Sequence, residues 1–213
     1  MSWCRVSRNT ATGNGGGIES WLGTANITNS LINYVNKAGR DGGGLYVTGG
    51  KADLAFTTIS DNEAISHGAG VYNNGGDVEI SHSKMHSNTA GGFGGGIASV
   101  QGSTNVTSSK ITSNVANWDG GGGQSLQRVE FRKCLRLGTY CTDDIFMFQT
   151  CLNLPVIVSG GKLAMKRTSI ADNTAVYTGG GLRMYLSDVV MENCTLRNNT
   201  AGTSGGGLFN LGS

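Results

Sequence analysis

The chain repeats one short pattern at fixed spacing. Asn-x-Ala begins at Asn9, Asn36, Asn62, Asn88, Asn114, Asn173 and Asn199. In every copy a glycine triplet starts six residues later, at Gly15, Gly42, Gly68, Gly94, Gly120, Gly179 and Gly205, the third reading Gly68-Ala69-Gly70. The intervals from each asparagine to the next are 27, 26, 26, 26, 59 and 26. A period this constant means that each unit buries its apolar face against its neighbours. That confines the chain to a stacked-repeat architecture.

The remaining positions of the unit follow the period of a strand. An apolar residue follows the glycines: Ile18, Leu45, Val71, Ile97, Leu182 and Leu208. A second apolar site holds Ile27, Leu54, Ile80, Val106, Met165 and Met191, and two residues before it lie Ala25, Ala52, Val78, Thr104, Leu163 and Val189. The positions between these two are mostly polar: Asn26, Asp53, Glu79, Asn105, Ala164 and Val190. Alternation at period two marks a half-buried strand, and no helical spacing competes with it. Next comes a small residue (Ser30, Thr57, Ser83, Ser109, Thr168, Cys194), and two positions later another apolar one (Ile32, Ile59, Met85, Ile111, Ile170, Leu196). Each unit therefore predicts about three short strands with Gly-, Asn- and Ser-rich corners, one turn of a triangular β-solenoid. The reading is all-β, with about seven coils of about 26 residues each.

The corners explain the recurring Asn and Gly. Asparagine tolerates the left-handed backbone region, which suits a sharp corner at the ladder position itself. Stacked asparagines can also link their side-chain amides along the axis. Glycine permits positive φ and leaves no side chain to crowd the next coil. The alanine two residues after the asparagine fits a tight inner corner.

Composition closes several alternatives. Glycine accounts for 36 of 213 residues, clustered and not at every third position, which excludes collagen. Hydrophobic residues at 38%, regularly placed, oppose low-complexity disorder. A charged fraction of 14% and a formal net of +2 give no reason to expect nucleic acid. No apolar run reaches the ~18 residues of a membrane span, and the N-terminal stretch lacks the apolar core of a signal peptide.

Ile59-Ser60-Asp61-Asn62 followed by a glycine triplet and an aliphatic residue resembles repeats of the polymorphic outer-membrane proteins, which carry F-x-x-N and G-G-A-[ILV] in tandem. Matching stretches run from Val6 to Asn9, Met85 to Asn88, Ile111 to Asn114, Ile170 to Asn173 and Leu196 to Asn199. Here an aliphatic residue replaces the phenylalanine and glycine replaces the alanine. The resemblance covers about 180 residues. It implies a right-handed parallel β-helix of the pectin-lyase-like class and a place outside the cell or on its surface.

The interval of 59 exceeds the period by 33 (59 − 26), and alignment places the extra residues at about 123–155. The organisation read from sequence is thus coils over 1–122, an interrupting block at 123–155 and coils of the same solenoid over 156–213. The block holds three of the five cysteines, three of the six phenylalanines and the single proline. It is either a loop thrown out from one coil or sequence foreign to the repeat. As a loop, Cys134, Cys141 and Cys151 permit one disulfide and leave one thiol free. Met1 to Ala11 aligns with Met191 to Ala201, so the chain is expected to start in mid-coil and either to be part of a longer repeat protein or to have its edges covered by other segments.

Enzymes of this fold class use clustered carboxylates with calcium or a basic residue. Asp53 and Glu79 occupy one outward column on adjacent coils and are the candidate acidic pair, with no Arg or Lys expected at matching sites. Tyr46 and Tyr72, neighbours in the outward column after the glycines, are candidate sugar-stacking residues. His67, His82 and His86 lack further ligands at metal spacing, so no metal site and no cofactor is implied. Cys4 and Cys194 fall on the small inward site, too many coils apart to bridge, and read as buried small residues. Sequons stand at Asn26, Asn105, Asn193 and Asn198. The expected function is a non-catalytic extracellular or cell-surface solenoid, adhesin-like or a scaffold, with a carbohydrate or another cell-surface protein as partner. The alternative is a carbohydrate-active lyase or hydrolase of the pectin-lyase-like class.

Overall fold

A computed structural model describes residues 1–117 and 156–212. The block at 123–155, its three cysteines and the triplet beginning at Gly120 lie outside the described residues. The described chain is an all-β parallel solenoid of about six turns, without a helix.

Each turn contributes four strands. In the first they are β1 (Arg5–Ser7), β2 (Thr10–Ala11), β3 (Ile18–Trp21) and β4 (Thr24–Thr28). The equivalents of β1, β2 and β3 form three seven-stranded parallel sheets, and those of β4 a six-stranded one. Sequence reading expects three strands per unit. The fourth is the x-Ala of the motif itself, whose backbone pairs from coil to coil, as in Glu63↔Thr89 and Ala64↔Ala90.

Register follows the period. Val71 faces Ile97, Val78 faces Thr104 and Met85 faces Ile111, each pair one repeat apart. Across the long interval the pairing is as regular: Ile97 faces Val156, Thr104 faces Leu163 and Ala116 faces Ala175. Identical positions therefore stack, and the inward columns form one core containing Ile27, Leu54, Ile80, Ile59, Met85 and Ile111. The strand Asp77–Ser81 shows the rule locally, with Val78 and Ile80 buried between exposed Asp77 and Glu79.

The ladder asparagines are fully buried in the inner coils and use their hydrogen-bonding capacity along the axis. Asn88 Oδ1 accepts from Asn62 N (3.1 Å) and Asn62 Nδ2 (3.0 Å). Asn88 Nδ2 donates to Asn114 Oδ1 (3.0 Å) and to the Ile59 carbonyl (3.0 Å). The same bonds run from Asn9 through Asn36 and Asn62, and from Asn114 through Asn173 to Asn199. The left-handed residue at this corner is not the asparagine. It is the residue before it: Arg8, Val35, Asp61, Ser87, Ser113, Asp172 and Asn198 all have φ between 51° and 58°. That residue reverses the chain, which leaves the asparagine free to turn its amide inward.

The glycine triplet divides its labour. The first glycine carries the positive φ, as at Gly42 (71°) and Gly179 (66°). The third has no room for a side chain: a Cβ on Gly44 would stand 2.7 Å from the Gly70 carbonyl oxygen and 3.1 Å from Asn62 Nδ2. The second is alanine in one coil, Ala69, packed with Ala38, Ala64 and Ala90, although a Cβ on its equivalent Gly43 would press on the Glu63 carbonyl.

A second polar ladder occupies the small-residue column. Ser83 Oγ donates to the Ser81 carbonyl (2.7 Å) and accepts from Thr57 N (3.0 Å), and Ser109 Oγ serves Ser83 N likewise (3.1 Å). Cys194 Sγ makes the corresponding bond to the Glu192 carbonyl (3.4 Å). The expectation that both cysteines are buried is corrected here. Cys4 is exposed and Cys194 half-buried, because each lies in an outermost described turn with a neighbouring coil on one side.

Candidate functional site

Inward positions are spent on the core and ladders, so chemistry is left to the outward columns. In the β4-type sheet the register places Asn26, Asp53, Glu79 and Asn105 side by side in that order. Asp53 and Glu79 are thus brought together. They line a groove of about 110 Å³ with Ser81, Asn105 and Thr107. No Arg or Lys stands at the matching sites of this column from Asn26 to Ala164, but Lys51, outside it, places Nζ 3.3 Å from Asp53 Oδ1. Residues two apart on a strand share a face, so Lys51 reaches over Asp53 within its own strand. Lys166, in register with Thr107 at the end of this groove, pairs with Glu192 at 2.8 Å.

In the β3-type sheet Tyr46 and Tyr72 are in register, with rings stacked at 5.3 Å and 10°. Tyr46 is buried and Tyr72 half-buried. Beside them runs a column invisible to motif reading, formed by the residue before each glycine triplet. Asn14 Oδ1 accepts from Asp41 N (3.3 Å), Asp41 Oδ1 from His67 N (2.9 Å) and His67 Nδ1 from Phe93 N (2.9 Å). The His67 ring stacks on Phe93 (4.3 Å, 6°) and lies 6.3 Å from Tyr72. With Nδ1 accepting, the neutral ring carries its proton on Nε2.

Burial sets the titration of this cluster. Desolvation pushes the Asp41 carboxyl up to about 6, against smaller opposing effects of the His67 backbone bond and Arg40. Desolvation pushes His67 down to about 4. It also raises Tyr72, with Asp41 and Tyr46 adding to the rise. Near neutral pH the cluster is one carboxylate beside neutral aromatic rings. It can bind through stacking and hydrogen bonds, while His67, uncharged and committed at Nδ1, is a poor proton acceptor. The sequence signal that finds Asp41 is its place in the column Asn14, Asp41, His67, Phe93, where each of the first three side chains meets the next coil.

The sharp turn between the β3- and β4-type strands forms a trough of about 380 Å³. Its floor is Gly75, Gly76, Gly102, Gly160 and Gly161, and Asp77, Gln101, Lys162 and Asp188 stand on its walls. His82 stacks on Phe56 (4.9 Å), and His86 contacts Ser87 Oγ (3.2 Å). Among the described residues no three His, Cys, Asp or Glu side chains are grouped to hold a metal. The sequon asparagines Asn26, Asn105, Asn193 and Asn198 are all exposed. No described helix is long and apolar enough to cross a membrane. No family model, curated protein or solved structure matches the chain.

Proposed function

We propose that this chain is a non-catalytic extracellular or cell-surface β-solenoid, adhesin-like or a scaffold, that holds a carbohydrate or another surface protein on its outer faces. One observation carries the reading. The Asp53–Glu79–Asn105 column, with Ser81 and Thr107, sets carboxylates, an amide and hydroxyls in register along one open groove. That is a surface of hydrogen-bonding groups suited to a hydroxylated ligand lying along the axis. The same reading makes the solenoid right-handed, as parallel strand crossovers nearly always are. It also makes the solenoid similar to the polymorphic outer-membrane repeats of the pectin-lyase-like class.

The second reading, a carbohydrate-active enzyme, draws on the same pair: Asp53 and Glu79 stand on adjacent strands in one groove. One experiment separates the two. The protein is screened on a glycan array and incubated with acidic polysaccharides plus calcium. Binding without chain cleavage, weakened by Glu79→Ala or Asn105→Ala, is the expected result. Cleavage that disappears in Asp53→Ala or Glu79→Ala overturns it in favour of the enzyme.

A further inference from the structure

We propose that the trough between the β3- and β4-type sheets docks a second copy of this chain, its solenoid axis reversed, across a two-fold axis at Gln101 and Ser103. The inference is independent of the proposed function. The trough holds about 380 Å³. One wall belongs to a column in register through Lys51, Asp77, Ser103, Lys162 and Asp188. Its four charged residues are exposed. Among the described residues Asp77, Lys162 and Asp188 form no ion pair, although Lys162 and Asp188 are neighbours.

The column complements itself when reversed. Its charges run plus, minus, neutral, plus, minus. A two-fold axis through Ser103, lying along the strand direction, sets Lys51 opposite the partner's Asp188 and Asp77 opposite the partner's Lys162. Each pair then occurs twice, as in any isologous contact. A two-fold parallel to the solenoid axis would instead set each charge against its like, which suppresses that arrangement. Lys51 already pairs with Asp53, but both side chains are well exposed, so that pair contributes little and leaves Lys51 free to be shared. The next column brings no like charges together in the reversed register. There Asn105 meets itself, Glu79 faces the partner's Ala164 and Asp53 faces the partner's Val190.

Shape agrees with charge. The turn residue beside this column is Leu22, Gly49, Gly75, Gln101, Gly160, Leu186 and Gly212 in successive coils, all at positive φ. Reversed about Gln101, Gly75 faces the partner's Gly160, Leu186 faces the partner's Gly49 and Leu22 faces the partner's Gly212. A Cβ on Gly75 would meet nothing within 4 Å, so the space above it is open. Gln101 leans toward Gly160, its Cγ 3.9 Å from where a Cβ there would stand, and so enters the space above the partner's Gly75. Leu22 leans over Gly49 in the same way and thereby meets the partner's Leu186. Leu22 is 73% exposed and Leu186 60%, and the contact removes both from water. From Lys51 to Asp188 the paired stretch covers four strand spacings, about 19 Å. A contact of that length places the dimer in the weak class, and its exposed ion pairs make it sensitive to salt.

Sedimentation equilibrium of the full chain over a concentration series tests this. The wild type should show a monomer–dimer equilibrium that weakens about tenfold or more between ~0.05 M and ~0.5 M salt. Asp77→Lys and Lys162→Asp each place like charges across the two-fold, and each alone should weaken self-association about tenfold or more. Mixed in equal amounts, the two variants should recover association at the wild-type level, because each then meets the opposite charge on the other. Both positions are exposed, so the variants should melt with the wild type. A wild type that stays monomeric at ~1 mM overturns the proposal. So do single variants that associate like the wild type, or a mixture that stays monomeric.

Discussion

Removing one ladder amide from the middle of the stack tests what holds the coils together. In Asn88→Ala, the Asn62 backbone N–H and one Asn62 amide hydrogen lose their acceptor, and the Ile59 carbonyl loses a donor. Asn62 is fully buried, so water does not replace the lost acceptor. At ~1–3 kcal/mol for each buried group left unsatisfied, the two orphaned donors cost about 2–6 kcal/mol. We expect a loss of about 4 kcal/mol, a large part of the ~5–15 kcal/mol that stabilises a typical domain. Urea denaturation reads it as a lower midpoint with an unchanged slope. Asn105→Ala, at an exposed asparagine of the same coil, is the control and should stay within ~0.5 kcal/mol of wild type. If Asn88→Ala costs no more than Asn105→Ala, the amide ladder contributes nothing net. Coil stacking would then rest on the apolar columns alone.

Gly44→Ala should destabilise by about 2–4 kcal/mol in the same assay, since its methyl group would press on the Gly70 carbonyl. The unit between Asn9 and Asn36, longer than its neighbours by one residue, places Tyr34 and Val35 both at positive φ (54° and 57°). Val35→Asn should therefore stabilise by about 1 kcal/mol, because a β-branched residue is strained where Asn198 sits easily in the equivalent place. Stability against pH should reveal Asp41 and His67 only when they are separated. With its carboxyl raised from 3.8 to about 6, folded Asp41 keeps a proton that the unfolded chain has lost. Its contribution is full below about 4 and fades as pH climbs through 6. His67, lowered from 6.5 to about 4, contributes above 6.5 and loses that contribution as pH falls to 4. The two slopes oppose each other, so the wild type should be nearly flat from pH 4 to 6. Asp41→Asn should gain stability with rising pH in that window, and His67→Asn should lose it. Chemical denaturation at each pH checks this, and parallel profiles for all three proteins would refute it.

Most of the fold was legible because the residues that build it recur. Ile59, Met85 and Ile111 announce an inward column by returning once in every repeat, and Asn62 and Asn88 announce a ladder in the same way. What the period hid was local geometry. It marked the asparagine as the corner residue, yet the left-handed turn falls on Asp61 and Ser87, whose identities vary because positive φ at a solvent-facing corner constrains them less than burial constrains the asparagine. It also marked Ser83 as merely small, although that hydroxyl bridges two coils. The outward residues were legible only in part. Asp53 and Glu79 were paired correctly by counting, since register alone brings them together. Lys51 was missed because an ion pair within one strand leaves no mark on the repeat. Asp41 was missed because it occurs once in a column that otherwise holds unrelated residues.

This division has a physical basis that bears on function. Every inner coil donates from its asparagine N–H and Nδ2 to the Oδ1 of the next, so the buried amides form one directional chain that fixes coil height. Outward side chains then stand at the strand spacing of ~4.8 Å, whatever their identity. Substitution on an outward column changes the chemistry of the surface without disturbing the frame. A ligand that runs parallel to the axis meets groups whose spacing is set by the backbone and whose nature is set coil by coil. On the function proposed above, recognition resides in the residues that break the repeat: Glu79 beside Asp53, and Asp41 beside the tyrosines.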